Sequence, residues 1–130
     1  MSARSVFEII GPVMIGPSSS HTAGAVRIGN IARAVLGEKP QRAEITLYGS
    51  FAKTHKGHGT DRALVAGLLG MAGDDLRIRE SLNIAAELGL VICFRFAEGA
   101  ELHPNTADID LTGASGKRIF VRGSSMEEMF

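Results

Sequence analysis

Three short polar stretches hold most of the residue types in this chain that could do chemistry. The first is Gly16-Pro17-Ser18-Ser19-Ser20-His21-Thr22-Ala23-Gly24, a turn-forming run that leads into an apolar stripe at helical spacing. Backbone N–H groups at a helix start, together with the positive end of the dipole, attract an anion. The hydroxyls of Ser18, Ser19, Ser20 and Thr22 can add donors and His21 a charge, which suits a carboxylate or a phosphate. One serine is enough for an ordinary N-cap, so three serines and a histidine exceed what capping needs. The stretch lacks the G-K-[ST] ending of a Walker loop. The second is Lys53-Thr54-His55-Lys56-Gly57-His58-Gly59-Thr60-Asp61, between an expected strand and an expected helix. Glycines on both sides of His58 let a ligand approach the imidazole, whose ordinary pKa suits proton transfer. Lys53 and Lys56 would attract an anionic substrate. A solvated loop with a cap at Thr60 or Asp61 explains the same residues. The third, His103-Pro104-Asn105-Thr106, can orient a substrate or simply build a turn.

Other chemistry finds less support. His55 and His58 are three apart but lie in a glycine-bearing loop, and no H-E-x-x-H pattern occurs, so no metal ligand is assigned. The serines lack the G-x-S-x-G setting of a hydrolase nucleophile. Cys93, the single cysteine, sits in an apolar alternating run and reads as a packed thiol. One cysteine excludes an internal disulfide, a thiolate zinc site and a self-contained iron–sulfur cluster.

The elements that must position these stretches follow from periodicity. The pattern predicts helices over about residues 20–36, with Gly24, Ile28, Ile31 and Val35 on one stripe; from Thr60 or Asp61 to Ala72; and over 80–88. Strands are expected at 43–48 and 90–96, with a hairpin of 108–111 and 118–122 around Thr112 to Gly116. Ser5 to Ile10 reads as a short helix stopped by Gly11-Pro12, and Gly49 to Gly59 as a loop. These elements lack regular βαβ alternation, which predicts an α+β fold: a mixed or antiparallel sheet with helices packed on one side. The 130 residues make one domain's worth of chain, 45% hydrophobic and 22% charged, with 14 basic residues against 14 acidic ones. A neutral chain without a basic block is a poor nucleic-acid binder. No apolar run is long enough to span a membrane and no export signal is evident, so a cytoplasmic location is expected.

Taken in order, the three stretches resemble the β chain, or N-terminal β domain, of bacterial iron–sulfur-dependent L-serine dehydratases. The matching pieces are Ser5-Val6-Phe7-Glu8-Ile9-Ile10-Gly11-Pro12, Ile15 through Ala25, Leu47-Tyr48-Gly49-Ser50-Phe51-Ala52-Lys53-Thr54, Lys56-Gly57-His58-Gly59-Thr60-Asp61 and His103-Pro104-Asn105-Thr106. The resemblance implies a fold similar to the allosteric substrate-binding domain of bacterial 3-phosphoglycerate dehydrogenases. It implies conversion of L-serine to pyruvate and ammonia, with a 4Fe-4S cluster acting as Lewis acid on the substrate hydroxyl and a protein base taking the Cα proton. On this basis His58 is the base. His21 shares the catalytic role, and Ser18, Ser19, Ser20, Thr22, Lys53, His103, Asn105 and Thr106 bind and orient substrate. His55 departs from the family pattern and receives no part. The family's cluster ligands are cysteines of an α chain or domain, so the cluster is expected on that partner and none on this chain. Residues 1–130 are then a β domain without the ACT-type and α parts, inactive alone and oligomeric in use. A non-catalytic regulatory module that binds a small anion or an amino acid, and an assembly subunit without site residues, are the competing expectations.

Overall fold

The computed structural model describes residues 7–15, 21–53, 59–98 and 105–125. Five strands form one mixed sheet: β1 (Phe7–Ile15), β2 (Pro40–Tyr48), β3 (Val91–Ala97), β4 (Asn105–Gly113) and β5 (Arg118–Ser125). Their order across the sheet is β1-β5-β4-β2-β3. The centre is antiparallel, β5 against β4 and β4 against β2, while both outer pairs, β1 with β5 and β2 with β3, are parallel. The helices are α1 (His21–Leu36), α2 (Gly49–Lys53), α3 (Thr60–Leu68) and α4 (Ser81–Glu87), the last entered through a 3-10 turn at Leu76–Glu80.

Alternation along the strands sorts the two faces. Ala43, Ile45 and Leu47 of β2, Ala107, Ile109 and Leu111 of β4, and Ile119 and Val121 of β5 are fully buried. They pack in one cluster with Ile28 and Leu36 of α1, Phe51 of α2, Leu64 and Leu68 of α3 and Ala85 of α4. All the helices therefore cover one side of the sheet, and the α+β expectation holds. The other face is polar: Arg42, Glu44, Thr46 and Tyr48 alternate with the buried residues of β2, and Asp108, Asp110, Arg118 and Arg122 face outward beside them by register.

The close approach of α1 and α3 decides how the helix layer packs. A Cβ on Gly29 would collide with the Leu64 carbonyl oxygen and lie 2.9 Å from Gly67 Cα, and one on Gly67 would strike the Val26 carbonyl. Glycine at both positions lets the backbones touch. Asn30 Nδ2 then donates to the Gly67 and Met71 carbonyls at 2.9 and 3.2 Å, and Arg33 Nη1 to Leu68 O at 2.9 Å. Because α1 is covered by both the sheet and α3, its buried band is wider than the single stripe expected. It includes Ala25, Val26 and Ala32, while Ile31 and Val35 are only partly buried.

Three sequence expectations are corrected. The helix expected over Ser5–Ile10 is replaced by β1 from Phe7, because those backbone groups pair with β5 from Phe7↔Arg118 onward. Gly11-Pro12 does not stop this element, since β1 is an edge strand and its register shifts between Ile10 and Val13, where a missing N–H costs no ladder bond. Part of the expected loop, Gly49–Lys53, is a short helix that starts at positive φ on Gly49 (56°) and buries Phe51. Asn105 and Thr106, expected in a loop, open β4.

Candidate functional site

The strand register brings several of the candidate stretches to one end of the sheet. Ile15 ends β1 opposite Ser125, Tyr48 ends β2 opposite both Thr106 and Ala97, and Asn105 begins β4 beside them. The chain on either side of 16–20 and of 99–104 therefore meets this end, as does the α2 segment leading to 54–58. Helix α1 also begins here, with His21 as its first residue, and Lys53 is the last residue of α2. Ser18, Ser19, Ser20, His58 and His103 lie outside the described residues.

Thr22, in the first turn of α1, and Gly59, immediately before α3, line one cavity of about 320 Å³. Two of the three stretches therefore have their described ends in the same cavity. Gly59 caps α3 with φ of 74°, a left-handed conformation that glycine adopts without a Cβ penalty, and its carbonyl accepts from Ala63 N at 2.9 Å. The cap is Gly59 itself, in place of the Thr60 or Asp61 expected. Asp61 instead accepts from Arg62 N through Oδ1 at 2.7 Å, and Thr60 is buried.

The rest of the wall comes from residues that carried no motif. Arg62 of α3 and Arg79 of the 3-10 turn line the cavity, along with Asp75, Leu76 and Ile78. Asp75 is already engaged: its carboxylate takes Arg77 Nε at 3.0 Å, Nη2 at 2.7 Å and the Arg77 backbone N–H at 2.8 Å. The Arg77 side chain, and then its N–H, hold the Asp75 carboxyl down to about 2. With that carboxylate committed to Arg77, Arg62 and Arg79 are the remaining charged residues among the described lining. Helix starts and two arginines on one wall suit a small carboxylate. Arginines at irregular spacing are ordinary surface residues in a sequence, so only the turn of the chain after α3 reveals this pair.

Thr106 is fully buried, and its Oγ1 shares a 2.7 Å hydrogen bond with Ser124 Oγ, which joins the start of β4 to the end of β5. Two residues on, Asp108 is 8% exposed although no described helix covers its face. Arg122 Nε and Nη2 donate to it at 2.7 and 2.9 Å, the Tyr48 hydroxyl donates at 2.7 Å, and the Arg122 guanidinium lies 5.7 Å from the Tyr48 ring centre. Burial, and then the hydrogen bond to Asp108, push the Tyr48 hydroxyl above its ordinary value. A larger cavity, about 610 Å³, lies at the opposite ends of α1 and α3 between Arg33, Gly37, Leu69 and Leu90, and no described residue of the three stretches lines it.

Comparison with known proteins identifies the family. Residues 5–92 match the family model of the serine dehydratase beta chain. The chain belongs to that family. It is 53% identical over 117 residues to the probable L-serine dehydratase beta chain of Bacillus subtilis (strain 168), covering 90% of this chain and 53% of that one. With the L-serine dehydratase beta chain of Peptoniphilus asaccharolyticus it shares 46% identity over 127 residues, 97% of this chain and 57% of the relative. It is also 42% identical over 80 residues to L-serine dehydratase 2 of Escherichia coli (strain K12), 57% of this chain and 17% of that protein. The chain thus spans about half the length of the two beta chains it matches.

Proposed function

We propose that this chain is the substrate-binding half of an L-serine ammonia-lyase, which converts L-serine to pyruvate and ammonia. The observation that carries the reading is the cavity shared by Thr22 and Gly59, where the end of the serine-rich stretch meets the end of the Lys-Gly-His-Gly stretch. Membership of the serine dehydratase beta chain family supports the same conclusion. The start of α1 holds the substrate carboxylate, with Ser18, Ser19, Ser20 and Thr22 as donors. Lys53 and the cavity arginines Arg62 and Arg79 add attraction for the anion. His58 accepts the Cα proton, while His21, His103 and Asn105 orient the amino acid. Thr106 acts at one remove, by tying β4 to β5.

A four-iron cluster draws cysteine thiolates from several positions, and this sequence has only Cys93. That residue is a part-buried thiol in β3, and no group of three or more His, Cys, Asp or Glu side chains gathers among the described residues. The chain does not fit a cluster of its own. On this reading the cluster belongs to a partner α chain or domain, and the work of this chain is to bind, orient and deprotonate.

The test is reconstitution. The purified chain alone should form no pyruvate from L-serine, and addition of the α partner should restore turnover; pyruvate from this chain alone would overturn the division of labour. In the reconstituted enzyme His58→Ala should lower kcat by about 10²-fold or more with KM little changed. Unchanged turnover would favour a regulatory amino-acid-binding module instead.

A further inference from the structure

We infer that the cavity at the C-terminal ends of α1 and α3 is a second small-molecule site, one that takes a zwitterionic α-amino acid with a large apolar side chain. It shares no described lining residue with the cavity at Thr22 and Gly59, and it does not depend on the catalytic reading. Its volume is about 610 Å³. Small-molecule sites run from about 300 to 1,000 Å³ and combine an apolar lining with a few placed polar groups.

The apolar part of the wall is made where elements end or begin. Leu69 is the C-cap of α3 and Leu88 the C-cap of α4, while Leu90 precedes β3 and Pro40 opens β2. Leu90 and Pro40 are buried, but Leu88 is 52% exposed and stands at the mouth. An apolar ligand body laid against Leu88 removes that surface from water.

The polar part carries both donors and acceptors. Arg33 gives Nη1 to the Leu68 carbonyl at 2.9 Å, which fixes the guanidinium and leaves further N–H groups to donate. Lys39 adds an exposed ammonium. On the acceptor side, Asn30 spends both Nδ2 hydrogens on the Gly67 and Met71 carbonyls, so its Oδ1 is left to accept. The Glu38 carboxylate takes the Ser115 hydroxyl and the Ser115 N–H, which hold its carboxyl below the ordinary value and keep it charged at neutral pH. Two hydrogen bonds leave a carboxylate with lone pairs to spare.

Fixed cations and fixed acceptors in one cavity select a ligand with both charges. Its carboxylate goes to Arg33 and Lys39, and its ammonium to Asn30 and Glu38. The helix ends decide against a phosphate, because α1 and α3 present the negative ends of their dipoles here, which oppose a dianion and favour an ammonium. Leu69, Leu88 and Leu90 then take the side chain, and a small amino acid leaves them uncovered.

Isothermal titration of the full chain with L-leucine reads the site. Saturable one-to-one binding is expected, with a dissociation constant at or below about 1 mM. Glycine, isocaproate and isoamylamine lack in turn the apolar body, the ammonium and the carboxylate, and each should bind at least about tenfold more weakly. Lys39→Glu and Leu88→Asp, both at exposed positions, should each raise the dissociation constant for L-leucine at least about tenfold. Arg62→Ala, at the other cavity, should leave it unchanged. No saturable heat at about 10 mM L-leucine, or binding indifferent to both Lys39→Glu and Leu88→Asp, overturns the inference. Binding lost in Arg62→Ala puts L-leucine in the other cavity and overturns it too. Isocaproate bound as tightly as L-leucine overturns the zwitterion assignment.

Discussion

Tyr48 is the only tyrosine in the sequence, which makes the cluster at Asp108 directly measurable. Its hydroxyl is pushed up by burial first and by the Asp108 hydrogen bond second. An ultraviolet titration should therefore show ionisation above pH 10, and Asp108→Asn should move the transition only part of the way back, because burial remains. The neutral hydroxyl is the form that the fold favours, so its contribution is complete below pH 10 and is lost as pH rises through the shifted value. Asp75 behaves in the opposite sense. Its carboxyl is held near 2 against an ordinary 3.8, so its stabilisation is complete above about pH 4 and disappears as pH falls through about 2. The urea midpoints of the parent and Asp75→Asn should differ at neutral pH and converge across that interval. The first pair is not legible in the sequence, since Tyr48 and Asp108 are 60 positions apart and only the β2–β4 register makes them neighbours.

At the level of elements, α1, α3, α4 and the central strands were legible because each shows a local apolar periodicity that faces the core. Ile45 and Leu47 announce β2 by alternation, and Gly37, with φ of 73° and its N–H on Arg33 O, ends α1 where the pattern stops. Reading failed where an element is decided by a distant partner. Phe7–Ile15 is made a strand by β5, more than a hundred positions away, and no local window contains that information. The candidate site was legible as three stretches, and the cavity joining Thr22 to Gly59 was not, since it depends on how α1 lies against α3. That crossing is sensitive to a single methyl group. Gly67→Ala improves intrinsic helix propensity by about 1 kcal/mol, yet it drives a Cβ into the Val26 carbonyl. A net loss of about 3 kcal/mol in urea unfolding is expected. A neutral or stabilising result would mean that the two helices separate more readily than their packing implies.

For the whole molecule, the proposed α partner completes the chemistry at the strand ends beside α1. The sheet order has a further consequence for biosynthesis. Strand β1 is the first strand described and its parallel neighbour β5 the last, Phe7 facing Arg118. During translation β1 leaves the ribosome long before its partner exists, while β4 and β5 form a local hairpin as soon as they emerge. Until then β1 is an unpaired strand in a crowded cell. The sheet can close only after residue 118 has left the exit tunnel, so a ribosome that stalls earlier presents an open edge for chaperones to hold.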